Sequence, residues 1–249
     1  MKTNQNNQVA IVTGSSRGIG AAIARRLAAD GLAVVVNYAG RVAEADKVVQ
    51  EIQAAGGRAA AIKADVSVPA EVAAMFDQAE ALFGGIDVIV NNAGIIQPGL
   101  VPLAETDDSL FDRLLAINFK GTFNTLRLAA KRLRSGGRIV NFSTSVVGLT
   151  LPGYSVYAAT KSAIETMTNI FAKELRGRNI SVNAVAPGPT ATDLFLTGKT
   201  DEQINHLAKM PPLERLGRPE DIAGVVSFLV GPDGGWVNGQ TLRANGGIV

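Results

Sequence analysis

Tyr157 and Lys161 lie in the stretch YSVYAATK (154–161) and carry side chains suited to proton transfer. A separation of four residues puts two side chains on one face of a helix, about one turn apart. A phenol has a pKa near 10, so making it an acid or base at neutral pH takes about 4 kcal/mol. A lysine ammonium about 4 Å away supplies a similar energy at an effective dielectric constant near 20. The pair therefore predicts a tyrosine acid/base whose pKa is lowered by the neighbouring lysine.

The residues between the pair favour a flat ligand beside it. Ala158 and Ala159 are small and leave the helix surface open. In such a site Tyr157 would protonate a carbonyl oxygen while a hydride reaches the carbonyl carbon, or accept the proton in the reverse direction. The expected chemistry is therefore reduction of a carbonyl group or oxidation of the matching alcohol.

A glycine-rich turn joins the first apolar run to a helical segment in VAIVTGSSRGIGAAIARRLAADG (9–31). The spacing G-x3-G-x-G provides a tight turn, bare backbone beside a pyrophosphate and a helix N-terminus directed at its charge. A plain strand-to-helix turn would need one or two glycines, but not three in this register. The turn therefore predicts a dinucleotide-binding loop, with contacts from Gly14, Ser16, Arg17, Gly18, Ile19 and Gly20.

The residues after the second apolar run indicate which dinucleotide binds. The run ends at Asn37 and Tyr38, where NAD-binding chains usually carry an acid for the ribose 2′-hydroxyl. Arg17 in the loop and Arg41 beyond the run are placed to meet a 2′-phosphate, which an acid would repel. The pattern predicts NADP(H) in preference to NAD(H), with Asn37, Tyr38, Ala39 and Arg41 among the contacts. An exposed arginine that opens a helix is the other interpretation.

Asp65 and Val66 end the third apolar run and are also predicted dinucleotide contacts. The Asp65 carboxylate is placed to accept a hydrogen bond from the adenine amino group. It is equally placed to begin a helix together with Ser67 and Pro69, and the two roles are compatible.

Seven short β-branched runs alternate with six helical segments. Near-continuous apolar runs are typical of strands covered on both faces, as in parallel sheets. We therefore predict an α/β Rossmann fold, in which helices cover both faces of a seven-stranded doubly wound parallel sheet. The predicted strands are 9–14, 33–38, 59–66, 86–94, 137–144, 180–188 and 239–247, and the predicted helices are 18–30, 41–55, 69–83, 109–133, 156–176 and 219–230.

We expect one domain over residues 1–249, which combines dinucleotide binding and catalysis. Residues 1–7 are polar and are predicted to be a flexible N-terminus. Residues 189–213 break the alternation of strands and helices near the C-terminal end of a strand. This insertion is predicted to be a mobile substrate lid.

Composition and charge exclude several classes of site. The chain has no cysteine and one histidine, His206, so disulfides, thiolate nucleophiles and multi-histidine metal sites are excluded and no metal is predicted. The net charge is +2 and the charged residues are scattered, so nucleic acid is not an expected partner. The polar start and the lack of a long apolar run predict a cytoplasmic protein without a membrane partner.

Six features, in order over nearly the whole chain, resemble those of the short-chain dehydrogenases/reductases. They are TGSSRGIG (13–20), NNAG (91–94), Asn118 in INFKGTF, a hydroxyl-rich strand end, Y-x3-K (157–161) and PGPTAT (187–192). The strand VVVNYAG and the tail WVNGQTLRANGG are most similar to the trihydroxynaphthalene-reductase-like and 3-oxoacyl-ACP-reductase-like branches, whose members mostly use NADPH.

The resemblance implies a role for each matching residue. Tyr157 would be the acid/base, Lys161 would lower its pKa and hold the nicotinamide ribose, and Asn118 would hold a proton-relaying water. Further cofactor contacts would come from Asn91, Ala93, Gly94, Pro187, Gly188, Thr190 and Thr192, the last meeting the carboxamide. For the Pro-Gly segment, a loop that merely turns is the other interpretation.

The catalytic hydroxyl departs from the family pattern. The family's serine usually lies 13 residues before the tyrosine, and Thr144 occupies that position between Ser143 and Ser145. Strand alternation puts 143 and 145 on one side and 144 on the other, so the alternatives exclude each other. Spacing favours Thr144, and Ser145 remains the alternative.

The sequence thus predicts a 3-oxoacyl-ACP-reductase-like, NADP(H)-dependent enzyme that interconverts a small-molecule carbonyl compound and its secondary alcohol. An apolar pocket wall, poor in cations, argues against a small and highly charged acid as the substrate. This wall is predicted from Ile95, Ile96, Leu149, Leu151, Leu194 and Phe195.

Two other protein classes share features of this sequence. A redox sensor or scaffold would bind the dinucleotide without turnover, and a methyltransferase would give no reason for Y-x3-K. The family resemblance implies a homotetramer. The apolar end NGGIV would be buried either in that assembly or within its own subunit.

Overall fold

The computed structural model describes residues 8–249, so the predicted flexible segment 1–7 lies outside the described residues. Seven parallel strands form one sheet in the order β3-β2-β1-β4-β5-β6-β7. The predicted fold class is confirmed. The strands are β1 (Val9–Val12), β2 (Ala33–Tyr38), β3 (Arg58–Lys63), β4 (Ile86–Asn91), β5 (Leu133–Phe142), β6 (Ser181–Pro187) and β7 (Thr241–Ala244).

Helices connect the strands and cover both faces of the sheet. They are α1 (Gly18–Ala29), α2 (Val42–Ala54), α3 (Pro69–Phe83), α4 (Asp108–Leu114), α5 (Gly121–Arg132), α6 (Val146–Leu149), α7 (Ser155–Glu174), α8 (Asp193–Leu196), α9 (Asp201–Lys209) and α10 (Pro219–Val230). The helix predicted over 109–133 is one continuous helical segment, in which a π-helical turn at Leu115–Lys120 joins α4 to α5. Within residues 8–249, no helix combines the length and apolar character needed to cross a bilayer.

Alternation along β1 divides the core between the two faces. Ala10 and Val12 pack with Leu27 of α1 and with α10. Ile11 faces the other way and packs with Phe76 of α3. All these side chains are fully buried, and each large one contributes about 1.5–3 kcal/mol relative to an exposed position. The sheet is therefore a rigid support for the loops at its edge.

The connections after β1 and β4 leave the sheet in opposite directions, since β1 lies between β2 and β4. In open parallel sheets such a reversal creates a crevice at the carboxyl ends of the strands, where ligands bind. The glycine-rich turn follows β1 and the NNAG segment begins at the end of β4. The fold therefore brings these two motifs to one crevice.

Candidate active site

The glycine-rich turn is shaped by close packing against the segment that follows β4. Gly14 and Gly18 adopt left-handed conformations, with φ of 62° and 56°, which glycine reaches without strain. A Cβ atom added at Gly20 would lie 2.5 Å from the Asn92 side-chain nitrogen. The Asn92 amide donates to the backbone oxygens of residues 13 and 14, both at 3.0 Å. The left-handed backbone of the turn and its close packing against Asn92 therefore require glycine at these three positions.

Asn37 fastens the loop to the neighbouring strands, a role that sequence reasoning missed. The Gly14 amide donates to Asn37 Oδ1 at 3.1 Å. Asn37 Nδ2 donates to the backbone oxygen of Ala64 at 3.0 Å and to that of Ile62 at 3.3 Å. The Asn37 carboxamide therefore ties the loop to the end of β3, and Asn37 also lines the cleft.

A cleft of about 400 Å³ opens above this loop. It brings together predicted dinucleotide contacts from the loop, the end of β2, the end of β3 and the segment after β4. These are Gly14, Ser16, Arg17, Gly18, Ile19, Gly20, Asn37, Tyr38, Ala39, Arg41, Asp65, Val66, Ala93, Gly94 and Thr192. Asn92 of the NNAG segment and the predicted substrate-wall residues Ile95 and Leu194 share the same wall. Sequence reasoning missed Gly40, Ala64, Ile117 and Asp193, which also line it.

Two half-exposed arginines stand at the end of the cleft beside β2. Arg17 Nη1 lies 4.0 Å from Asp193 Oδ2, and Arg41 Nη1 lies 2.8 Å from Glu44 Oε1. Both ion pairs are exposed enough for water to screen them, so each contributes at most about 1 kcal/mol. The guanidinium groups are available to a doubly charged phosphate, and Asn37 and Tyr38 end β2 without an acid that would oppose it. These residues fit NADP(H).

Asp65 has the helix-start role that the sequence left open, and its contact with adenine stays a prediction. Its Oδ1 accepts hydrogen bonds from the Ser67 amide at 2.9 Å and from the Ser67 hydroxyl at 2.7 Å. The carboxylate therefore orders the turn that leads into α3, which begins at Pro69. Asp65 also lines the cleft, so this turn is held where the adenine end is predicted.

Asn91 does not lie in the cleft, and its prediction as a cofactor contact is corrected. Its side chain points into the sheet layer, where Nδ2 donates to Asn141 Oδ1 at 2.8 Å and Oδ1 accepts from the Thr125 hydroxyl at 2.6 Å. Asn141 in turn donates to the Thr168 hydroxyl at 2.8 Å. This buried network joins β4, β5, α5 and α7, because a buried amide must satisfy its hydrogen bonds internally. The next residue, Asn92, faces the cleft instead.

A second cavity, of about 210 Å³, continues from the cleft towards α7. Asn92, Gly94, Ile95 and Thr192 line both spaces. The inner cavity brings together Thr144, Ser145, Tyr157, Lys161, Pro187, Gly188, Thr190 and Thr192 with the six predicted apolar wall residues Ile95, Ile96, Leu149, Leu151, Leu194 and Phe195. A ligand in the cleft would therefore reach the tyrosine and lysine directly.

The two candidate hydroxyl groups have different surroundings. The Thr144 hydroxyl lies near the Tyr157 phenol and acts to lower its pKa, while accepting from the Val146 amide at 3.3 Å. Ser145 Oγ donates to the Ala186 backbone oxygen at 3.2 Å and accepts from Asn245 Nδ2 at 2.9 Å. Ser145 is thus committed to holding the strand ends together. Contact with Tyr157 favours Thr144, as the spacing did.

The electrostatics of the pair differ from the expectation that Lys161 lowers the pKa of Tyr157. Burial raises the pKa of Tyr157 to about 12, a change that Thr144 only partly opposes. Burial also lowers the pKa of Lys161 to about 8. Lys161 Nζ donates to the Phe142 backbone oxygen at 2.9 Å. Loss of water around both groups is the largest cause of each shift, because each charged form is poorly solvated.

Asn118 lies behind the cavity, in the π-helical turn Leu115–Lys120. Its Oδ1 accepts from the Ile95 amide at 2.8 Å and its Nδ2 donates to the Ile95 backbone oxygen at 2.9 Å. This paired contact fixes the segment after β4 against the helix. A Cβ added at Gly94 would lie 3.2 Å from Asn118 Oδ1 and 3.4 Å from Lys161 Nζ, so the three residues meet at one point. The role of Asn118 in a proton relay stays a prediction.

The predicted lid contains α8 and α9. The Thr192 hydroxyl accepts from the Phe195 amide at 3.3 Å and begins α8, and the Thr190 hydroxyl donates to the Gly188 backbone oxygen at 2.9 Å. Thr192 also packs near Gly18, whose added Cβ would be 3.5 Å from Thr192 Cγ2. Sequence reasoning missed the lid residues Lys199, Leu207 and Met210, which line the inner cavity.

The C-terminal residues fold back within their own subunit. Asn245 Nδ2 donates to the Val249 backbone oxygen at 3.1 Å as well as to Ser145, and Asn245 Oδ1 accepts from the Gly247 amide at 3.0 Å. Ile248 lines the inner cavity. The tail therefore braces the strand end that carries Thr144 and forms part of the pocket wall.

A family model described as Enoyl-(Acyl carrier protein) reductase matches residues 14–249. The chain belongs to the short-chain dehydrogenase/reductase family. Within this family, a short-chain type dehydrogenase/reductase of Picea abies is 46% identical over 250 residues, which cover 97% of this chain and 92% of the relative. An NADPH-dependent aldehyde reductase-like protein, chloroplastic, of Arabidopsis thaliana is 44% identical, with 97% and 94% covered.

Solved structures of the family agree with this assignment. A short-chain dehydrogenase from Burkholderia cenocepacia J2315 in complex with NADP has a TM-score of 0.92 and 38% identity, and 99% of each chain is covered. A blue fluorescent protein from a metagenomic library in complex with NADPH has a TM-score of 0.92 and 41% identity, with 99% of this chain and 100% of the other covered. The chain is thus an oxidoreductase of this family.

Proposed function

We propose that the protein is an NADP(H)-dependent oxidoreductase that reduces a carbonyl compound to a secondary alcohol, or catalyses the reverse. The observation that carries this proposal is that Tyr157, Lys161 and Thr144 line one cavity, which is continuous with the glycine-loop cleft. The 3-oxoacyl-ACP-reductase-like subtype predicted from the sequence remains one candidate among carbonyl reductases.

The choice of coenzyme is supported by charge at the β2 end of the cleft. Arg17 and Arg41 would hold the 2′-phosphate, and the loop backbone at the start of α1 would hold the pyrophosphate. One relative is named as NADPH-dependent, and solved neighbours contain NADP or NADPH. We therefore propose NADP(H) in preference to NAD(H), which a direct comparison of the two coenzymes would test.

The residues of the inner cavity divide the chemical work. When bound, NADPH supplies the hydride that reaches the carbonyl carbon. Thr144 donates a hydrogen bond to the carbonyl oxygen, and Tyr157 transfers its phenolic proton to the same oxygen. The raised pKa of Tyr157 keeps the phenol protonated at neutral pH, which suits the reductive direction. Lys161 holds positive charge beside the phenol and stabilises the phenolate that forms.

Turnover with a panel of aldehydes and ketones tests the proposal. We expect consumption of NADPH, followed at the absorbance of the reduced nicotinamide, with at least one carbonyl compound and slower consumption of NADH. A protein that binds NADPH, as seen by nucleotide fluorescence, but consumes it with no member of the panel would contradict the proposal and favour a redox sensor or scaffold.

Assembly and location remain proposals. Apolar side chains on α4, α5 and α7 are exposed in the single chain, namely Phe111, Phe123 and Ile170. Their burial between subunits would support the homotetramer, and light scattering measures its mass. The cytoplasm is the proposed location, although the Arabidopsis thaliana relative is named as chloroplastic.

A further inference from the structure

The inner cavity contains positive charge without a balancing carboxylate. Among its lining residues, all within the described part of the chain, Lys161 and Lys199 are the charged side chains. Lys161 lies deep beside Tyr157 and donates to Phe142, so its position is explained by the reaction centre. Lys199 lies in the lid between α8 and α9, and the proposed chemistry gives it no task.

The Lys199 ammonium contacts Phe195, which also lines the inner cavity. Nζ donates to the Phe195 backbone oxygen at 2.5 Å and lies 4.5 Å from the centre of the Phe195 ring. Burial lowers the pKa of Lys199, and no carboxylate among residues 8–249 forms an ion pair with it. An ammonium has three hydrogen-bond donors, so the Phe195 oxygen leaves donors for another group.

Lys199 also lines an outer cavity that opens to solvent. This vestibule of about 1230 Å³ carries the cations Arg17, Arg41, Arg113 and Lys199 and the carboxylates Asp193 and Glu202. Arg17 and Arg41 belong to the proposed 2′-phosphate site. Lys199 is thus the cation common to the vestibule and the apolar inner pocket, and a bound molecule would pass it on the way to Tyr157.

We propose that Lys199 binds a carboxylate on the substrate, so that the natural substrate is a carbonyl compound with an apolar body and an anionic group at its far end. This inference rests on the proposed carbonyl reduction and adds the substrate class. An anion here would restore the solvation that burial removed from the ammonium, and a hydrogen bond between two charged groups is among the stronger ones in proteins. A cation in this otherwise apolar wall would let the pocket discriminate an acid from its neutral analogue.

Matched pairs of substrates test whether Lys199 recognises the carboxylate and not the rest of the molecule. Each pair is a keto acid and its methyl ester, with spacers of different length between carbonyl and carboxylate. The wild-type enzyme with NADPH should favour the best acid over its ester by at least about tenfold in kcat/KM, mainly through KM. Lys199→Met should remove this preference by raising the KM of the acid far more than that of the ester, and Lys199→Arg should retain most of it. Lys209→Met removes an exposed lysine of α9 that lines neither cavity and should change nothing.

Binding to the Tyr157→Phe variant saturated with NADPH, measured by calorimetry, makes the test independent of turnover. The best acid should bind about tenfold more tightly than its ester, and the difference should vanish when Lys199→Met is added. An acid that binds no more tightly than its ester, or a preference that survives Lys199→Met, would overturn the role of Lys199. Acid binding that depends on Lys199, without turnover of any pair by the wild type, would contradict only the proposed reduction.

Discussion

Substitution of Lys161 by methionine should stabilise the protein while abolishing its activity. The Lys161 side chain is only 5% exposed, and its pKa falls from 10.5 to about 8 because burial penalises the ammonium. That fall corresponds to about 3 kcal/mol against the charged form. Methionine removes this cost but leaves the Phe142 oxygen without its donor, a loss of about 1 kcal/mol. The net expectation at pH 7 is a gain of about 2 kcal/mol in the free energy of unfolding.

The pH dependence distinguishes this cause from improved packing. Because the folded pKa of Lys161 is lowered, the unfolded chain binds more protons between pH 8 and pH 10.5. The wild type should therefore gain stability as pH rises through this window, and its difference from Lys161→Met should shrink there. Tyr157, whose pKa is raised to about 12, stays protonated at both pH values of the comparison and does not contribute to the difference.

Urea unfolding at pH 7 and at pH 9.5, at one protein concentration, measures the effect. Lys47→Met on α2 is the matched control, because that lysine is exposed and should give little change at either pH. A Lys161→Met protein that is less stable than the wild type at pH 7, or a difference that stays constant up to pH 10.5, would refute the argument from desolvation.

Three further predictions follow from the same geometry. Arg17→Ala and Arg41→Ala should each raise the KM for NADPH about tenfold and leave that for NADH unchanged, and equal effects on both coenzymes would contradict the 2′-phosphate site. Thr144→Val should lower kcat about 100-fold, whereas Thr144→Ser should keep most of it. Ser145→Ala should lower kcat less than about tenfold. A larger loss of kcat in Ser145→Ala than in Thr144→Val would make Ser145 the catalytic hydroxyl. Because the pKa of Tyr157 is raised to about 12, alcohol oxidation should accelerate steadily with pH up to pH 10 in initial-rate assays, and a plateau near pH 7 would argue against that raised value.

Local patterns were enough to predict the strands and the dinucleotide loop. Apolar runs of a parallel sheet are continuous, and the spacing of the glycines at 14, 18 and 20 is visible in the local sequence, although their packing against Ala93 and Asn92 is not. The same holds for Tyr157 and Lys161, whose four-residue spacing fixes them on one face of α7.

Features that depend on distant partners could not be predicted in this way. The π-helical turn is stabilised by Asn118 and Ile95, 23 residues apart, and Ser145 is held by Asn245, 100 residues away. Asn91 belongs to a motif beside the cleft, yet its amide turns inward to Asn141. The pKa values of Tyr157 and Lys161 follow from burial, which residue spacing does not reveal. Lys199 has an unremarkable sequence context, and only the fold shows that it enters the pocket.

Single-turnover reduction by Tyr157→Phe tests most directly the claim that this phenol delivers the proton. The variant is mixed with saturating NADPH and an active carbonyl substrate, and oxidation of the nicotinamide is followed by stopped flow, with the dissociation constant for NADPH measured separately. Loss of a general acid should slow the step about 10²- to 10⁴-fold while NADPH binds as in the wild type. A rate within a few-fold of the wild type, with NADPH binding intact, would contradict the account.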